Sequence, residues 1–305
     1  MHILNLIRWK NLVLIILAQV LIKYALFEPF NVITTLSPLG FSLLVLTTLC
    51  IAAAGNIIND IYDVETDSIN KPNKVIIGKQ VSENLAYNLF FALNIIGVIL
   101  GFYLSHSVGK SSLFAIFVII SIALYVYASY LKGTVLFGNI LISFLVAMSI
   151  IIVGIFDLLP AITPQNRATQ LTFFDVIFDY AFFAFLINLI RELIKDIQDV
   201  DGDYKSGMNT LPIVLGRERA NKITFSLSII PIGVVVYFMV TYLYKLPVAI
   251  GYFLLFVIAP SIYATIKIFG ANNNLHYKHI SLVYKLVMLF GILSLLLYPL
   301  IIKTF

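Results

Sequence analysis

The sequence predicts an all-α membrane protein of nine helices, and three observations carry that prediction: composition, the lengths of the apolar runs, and the placement of basic residues. Of 305 residues, 61% are hydrophobic and 11% charged, whereas soluble domains are about 45–50% apolar and about 25% charged. Nine runs have the roughly 17–25 apolar residues that cross hydrocarbon as a helix. They lie near 11–29, 38–58, 85–105, 111–131, 135–157, 173–194, 223–243, 248–269 and 282–302. The alternating segments of about ten residues that build a membrane barrel are missing. Cytoplasmic loops retain Lys and Arg; with the N-terminus inside, 15 of the 20 fall on that side, leaving Lys23, Lys110, Arg167, Lys245 and Lys303 outside. The expectation is one transmembrane domain, residues 1–305, in the cytoplasmic (inner) membrane. The net charge of +5 is spread through loops, so positive-inside bias accounts for it and no nucleic-acid partner is implied.

Taken in order, the first run carries Gln19 and Lys23 as its strongly polar residues, and Lys23 is expected to snorkel to an interface. That run has no small-residue cleavage site and reads as a retained helix, not a removed signal. The second starts after Pro38-Leu39-Gly40, holds the single Cys50, which excludes an internal disulfide, and ends in acid. Pro72 stops any helical continuation, and the loop from Asn70 to Lys79 is basic. Helices three and four form a hairpin around His106–Ser112. The fourth ends with Tyr127, Tyr130 and Lys132 at its cytoplasmic tip, and Asn139 lies one turn into the fifth, where a polar amide packs on another helix or faces a cavity. The sixth leaves the membrane through Asn188, Arg191, Glu192 and Lys195. The 28 residues from Lys195 to Lys222 exceed what a connector needs, so 199–216 is expected to be a functional loop. Helices seven to nine are almost purely apolar, with Pro231, Pro260 and Pro299 as kink sites. His276 and His279 have no carboxylate or third His near them, so they read as a solvated loop.

The chemistry lies in two acidic stretches. Asn56, Asp60, Asp63 and Asp67 are spaced by four, three and four, and Glu192, Asp196, Asp199 and Asp203 repeat that spacing. On a helix each set shares one face. One such stripe alone would read as a solvated face. With Glu65 and Asp201 beside them, the two stretches hold nine of the 15 acidic residues, each closing an apolar run, and stacked like charges need neutralising cations. Carboxylates suit Mg²⁺, which takes one or two of them, keeps waters and bridges to substrate phosphates. The neighbouring Lys71, Lys74, Lys132, Arg191 and Lys195 would contact the remaining phosphate oxygens. A diphosphate with a hydrocarbon tail, such as an allylic prenyl diphosphate, meets both demands. Ionising its C–O bond leaves an allyl cation that calls for a dry, aromatic-lined chamber, and the chain has 24 Phe and 17 Tyr.

These residues resemble the UbiA superfamily of intramembrane prenyltransferases. Asn59-Asp60, Asp63 and Asp67, followed by Asn70-Lys71-Pro72, match its first motif; Asp196, Asp199 and Asp203, with Gly207 and Thr210-Leu211-Pro212, look like its second. Within the superfamily, Arg191 to Asp203, Tyr130-Leu-Lys132 and Gly138-Asn139 are most similar to the digeranylgeranylglyceryl phosphate synthase group. One departure is Pro72-Asn-Lys74-Val75, where that group commonly has Pro-x-Arg-Pro; the charge survives, the bidentate fork does not. The resemblance implies nine helices around a central cavity, with Mg²⁺ and diphosphate between helices two and six. It implies metal ligation by Asp60, Asp63, Asp67, Asp196, Asp199 and Asp203, with Asn59 orienting the first cluster. Substrate would be bound by Lys71, Lys74, Tyr127, Tyr130, Lys132, Asn139, Arg191 and Lys195. The partners would be a prenyl diphosphate donor, a lipid-soluble acceptor and membrane lipid. The implied reaction is Mg²⁺-dependent transfer of a geranylgeranyl group to a hydroxyl of geranylgeranylglyceryl phosphate. An aromatic or chlorin acceptor, and in another class a divalent-cation transporter, are the alternatives.

Overall fold

A computed structural model of the chain describes residues 1–300. Among them nine helices are long and apolar enough to cross a membrane: Trp9–Phe30, Pro38–Tyr62, Glu83–Ser107, Ser111–Ser129, Phe137–Ala161, Arg167–Lys205, Arg217–Tyr242, Pro247–Phe269 and Asn274–Leu300. The protein is a multi-pass, all-helical membrane protein, and each expected span is met. Residues 301–302 of the ninth run, and Lys303, lie outside the described residues. Local chemistry sets the starts. Ser37 accepts from the Gly40 amide at 3.2 Å with Pro38 in the first turn, Ser82 from Leu85 at 3.3 Å, and Asn273 from His276 at 2.9 Å, satisfying amides that a helix start leaves orphaned.

The spans close into a ring. The second packs on the third and fourth, the fourth on the fifth, the fifth on the sixth, and the sixth on the seventh and ninth; the first meets both the second and the ninth. Inside the ring is a cavity of about 790 Å³. One apolar core joins spans one, two, four, five and six, and another joins six to nine.

Three expectations are corrected. The second helix breaks at Asp63, which sits in a turn between Pro38–Tyr62 and the short helix Val64–Asn70. Backbone bonds Asp63 N to Asn59 O at 2.9 Å and Asp67 N to Asp63 O at 2.7 Å bridge the break, so the acidic face survives it. The sixth helix runs unbroken for 39 residues to Lys205, about 58 Å at ~1.5 Å per residue, against a hydrocarbon core of about 30 Å. Most of the expected 199–216 loop is therefore helix: no proline occurs before Pro212, and Gly202 costs a helix only about 1 kcal/mol. The loop proper is Ser206–Thr210, followed by the short helix Leu211–Leu215.

The third correction concerns Lys23. It is buried at 5% exposure instead of snorkelling, and its ammonium donates to Asp157 Oδ2 at 2.7 Å, Thr34 Oγ1 at 2.8 Å and the Leu36 carbonyl at 3.2 Å. Asp157 also accepts from the Leu36 amide at 2.8 Å. Removing one member of a buried pair strands a charge and costs roughly 3–5 kcal/mol, while replacing both by apolar residues is far milder. Asp157→Ala is expected to lower the unfolding midpoint in detergent sharply, and Lys23→Met with Asp157→Leu to recover most of the loss. Equal loss in the single and double variants would contradict this.

Candidate functional site

The six aspartates of the two acidic stretches all line the one cavity, at the end of the ring where the second helix breaks and the sixth leaves the membrane. Several are held by a partner from elsewhere in the chain. Arg8, just before the first span, donates from Nη2 to Asp60 Oδ1 at 2.6 Å. Lys132, between spans four and five, pairs with Asp63, whose Oδ2 also accepts from Asn59 Nδ2 at 2.5 Å. Lys71, between spans two and three, pairs with Asp199. Asn139 Nδ2 donates to Asp196 Oδ2 at 2.8 Å. Asp67, Asp196 and Asp203 have no Lys or Arg partner among the described residues.

A short clasp brings the two acidic helices together. Asn70 Nδ2 donates to the Asp199 carbonyl at 2.7 Å, and Asn70 Oδ1 accepts from the Gly202 amide at 2.8 Å. Thr66 and Ser206 share a hydroxyl bond of 2.9 Å. Gly202 permits this approach: a Cβ there would lie 2.4 Å from Asn70 Nδ2 and 2.7 Å from the Thr66 carbonyl. Beside it, the Asn209 amide donates to the Gly133 carbonyl at 2.7 Å, fixing the connection that carries Lys132.

Convergent charge shows in the titrating groups. Burial lifts the Asp67 carboxyl above its ordinary range, and Asp63 and Asp199 add to that against the pull of Lys71 and Lys132. Burial works to lower the Lys132 ammonium, but Asp63 beside it holds the proton above the usual lysine value. Burial likewise opposes the charge on Arg8, and Asp60 and Asp63 overcome it.

An oxygen-rich set with three carboxylates lacking a cation fits a hard divalent ion such as Mg²⁺. Among the described residues no three His, Cys, Asp or Glu side chains converge tightly enough to hold a metal. Arg8, Lys71, Lys132, Asn59 and Asn139 each take one oxygen of the carboxylate they meet, leaving the other oxygen of Asp60, Asp63, Asp196 and Asp199 outside these bonds.

Of the other expected site residues, Lys71, Lys74, Tyr127, Lys132, Arg191 and Lys195 line the cavity together with Asn59. Asn139 does not, although Asp196, to which it donates, does. Tyr130 is not brought to the cavity: the fourth helix ends at Ser129 and the side chain is 73% exposed. The expected aromatic chamber is also corrected, since Phe117 and Tyr127 are the Phe and Tyr residues of the lining and the rest of its apolar part is aliphatic, including Leu12, Ile51, Leu124, Leu145 and Ile292. Arg8, Asn188 and Glu192 line the cavity as well. Arg8 stands 52 residues from Asp60 and had read as topological charge alone; no local signal singles it out.

The sequence profile of the UbiA prenyltransferase family matches residues 32–279. The chain belongs to that family. Digeranylgeranylglyceryl phosphate synthase from Methanosphaera stadtmanae is 33% identical over 190 residues, covering 61% of this chain and 63% of the relative. The match thus spans less than two thirds of that relative's length. A solved structure described for digeranylgeranylglyceryl phosphate synthase in membranes shares the fold at a TM-score of 0.62 and 24% identity, covering 97% of this chain and 98% of the other. A UbiA homolog from Archaeoglobus fulgidus bound to GPP and Mg²⁺ shares it at 0.57 and 17%, covering 97% and 99%.

The clasp generates a test. Gly202→Ala and Asn70→Ala are each expected to lower stability by roughly 1–3 kcal/mol, read as the unfolding midpoint in detergent. Because both act on one contact, the double variant should fall little below the worse single one; full additivity would show that the two residues do not work together.

Proposed function

We propose that the protein is a Mg²⁺-dependent prenyltransferase that moves a geranylgeranyl group from its diphosphate to a hydroxyl of geranylgeranylglyceryl phosphate, at the cytoplasmic face of the inner membrane. The observation that carries this reading is one cavity with six aspartates at its polar end and an aliphatic chamber behind them. Support comes also from the family, from the relative named for this synthesis and from the fold neighbour bound to GPP and Mg²⁺. The cytoplasmic side follows from the basic residues, Arg8, Lys71 and Lys132 among them, gathered at the cavity's polar end. Cation transport is the weaker reading, because transport places polar groups near the bilayer midplane and these carboxylates sit at one end.

Bound between Asp60, Asp63 and Asp67 on one side and Asp196, Asp199 and Asp203 on the other, Mg²⁺ would neutralise the diphosphate and make it a better leaving group. Lys71 and Lys132, released from their carboxylates, would donate to diphosphate oxygens as charge builds there. Asn59 and Asn139 hold Asp63 and Asp196 in orientation. The aliphatic lining positions the prenyl chain and keeps water from the allylic carbon. The C–O bond to diphosphate breaks with its electron pair leaving on the diphosphate, the acceptor hydroxyl oxygen bonds to the allylic carbon, and the hydroxyl proton leaves to the polar end.

With radiolabelled geranylgeranyl diphosphate, Asp63→Ala and Asp199→Ala are each expected to cut transfer by about 100-fold or more while the protein still folds. Full transfer by both would end the assignment of the acidic helices. Mass identification of the product from a panel of glycerol-phosphate, aromatic and chlorin acceptors separates the proposed acceptor from the aromatic and chlorin alternatives.

A further inference from the structure

The polar end of the cavity is not uniform. Among the described residues, Asp67, Asp196 and Asp203, on the second and sixth helices' side, pair with no cation, and Arg191, on the side of the first, sixth and ninth, pairs with no carboxylate. Its neighbour Glu192 makes no ion pair with it and instead accepts at Oε1 from Lys195 Nζ at 2.7 Å. Arg191 Nε is buried with no hydrogen-bond partner, and Nη1 finds only Asn188 Oδ1 at 3.5 Å and Met288 Sδ at 3.9 Å. A guanidinium drawn out of water with unspent donors is costly unless an anion meets it, and its planar fork matches two oxygens of a phosphate.

Other cations press on the same place. Lys285, one turn before Met288 on the ninth span, donates to Asn11 Oδ1 at 2.9 Å, and Asn11 is part of the cavity wall. Like charges gathered from three helices repel, and a bound anion would relieve them. Arg8, Asn11, Arg191, Lys195 and Met288 line the cavity, and Ile292 continues its wall one turn beyond Met288, so an anion here would have an apolar surface beside it for a tail.

Resting on the acceptor reading above, we propose that Arg191, Lys195 and Lys285 form a second anion site that takes the phosphate monoester headgroup of the acceptor lipid. It is separate from the carboxylate and lysine side that takes the donor diphosphate. A monoester suits this side because the carboxylates that would carry metal for a diphosphate lie on the other. Arg191 supplies the fork and the unpaired charge, Lys285 and Lys195, the latter paired with Glu192, supply further N–H donors, and Met288 and Ile292 flank the tail.

The test uses full-length protein in detergent with EDTA and no donor. It is titrated with geranylgeranylglyceryl phosphate, with uncharged geranylgeranylglycerol, and with inorganic phosphate, and binding is read by calorimetry. The phosphate lipid is expected to bind at least about tenfold more tightly than its uncharged counterpart, a difference of about 1.4 kcal/mol. That preference should largely vanish in Arg191→Gln, shrink in Lys285→Gln and partly return in Arg191→Lys. In transfer assays, Arg191→Gln should raise the acceptor KM at least about tenfold and leave the donor KM within about twofold. Lys285→Gln, at the edge of the site, keeps the test open if Arg191→Gln fails to fold. Unchanged phosphate preference in the variants, or a donor KM that rises in place of the acceptor KM, would overturn the site. Inorganic phosphate matching the lipid's affinity would overturn headgroup recognition in favour of a free anion. If the phosphate preference depends on Arg191 but no prenyl group reaches that lipid, the site stands and the acceptor assignment falls. If transfer occurs and both variants keep the wild-type acceptor KM, the acceptor stands and the site falls.

Discussion

The structure depends on cations brought from separate connecting segments to aspartates on two helices. Arg8 comes from the N-terminal segment, Lys71 from the connection after the second span and Lys132 from the connection before the fifth. Six carboxylates aimed into one cavity would push their helices apart. Each of these contacts cancels part of that repulsion and also ties a loop to the site. The Asn70 clasp adds what charge cannot, a fixed distance between the two acidic helices, because amide-to-backbone bonds are directional and Gly202 lets them form. Position and charge are thus supplied by different residues.

A comparison within the molecule separates a structural ion pair from an exchangeable one. Lys23 has three acceptors and Asp157 accepts from both the ammonium and the Leu36 amide; that pair is buried and satisfied, and it joins the first span to the end of the fifth. At the other end of the ring, Lys71 and Lys132 are each about a quarter exposed and face a cavity. A satisfied buried pair resists exchange because separating it exposes both charges to hydrocarbon. A pair at a cavity wall can trade its carboxylate for a phosphate oxygen without stranding the ammonium, because one anion replaces another. The same chemistry therefore holds the fold at one end and stands ready for a ligand at the other.

Much of this was legible in the chain. Apolar runs gave all nine spans, because a bilayer demands length and hydrophobicity and little else. The spacing of Asp60, Asp63, Asp67 and of Asp196, Asp199, Asp203 gave the two acidic faces, because helical periodicity is local. Arg8 was not legible as a site residue, since its partner is distant in sequence and a basic residue before an apolar run is ordinary. The sixth helix was cut short because polar residues after an apolar run look like a loop, although the Asn70 clasp gives the projecting turns a partner. Lys23 was misread for the opposite reason: a lone Lys near a span end usually reaches for water, and only Asp157, 134 residues away, keeps it inside. For Arg8, the sixth helix and Lys23, what fails to show in the sequence is a long-range partner.

The aliphatic character of the chamber bears on how the proposed reaction would run. A cavity rich in aromatic faces can hold a free allyl cation through its ring quadrupoles. Here that help comes from Tyr127, which is buried and within the field of Glu192, Asp196, Asp63 and Arg8, and from Phe117 on the chamber wall. With so few rings, the stabilising negative charge nearest the allylic carbon in the proposed reaction would be the departing diphosphate itself, which Lys71 and Lys132 would hold and bound Mg²⁺ would neutralise. The carbon would then stay close to its leaving group until the acceptor oxygen arrives. Such a site gains most from placing the acceptor hydroxyl early and accurately, and a headgroup fixed at Arg191, which forms no ion pair with the aspartates of the cavity, would do that by anchoring the acceptor.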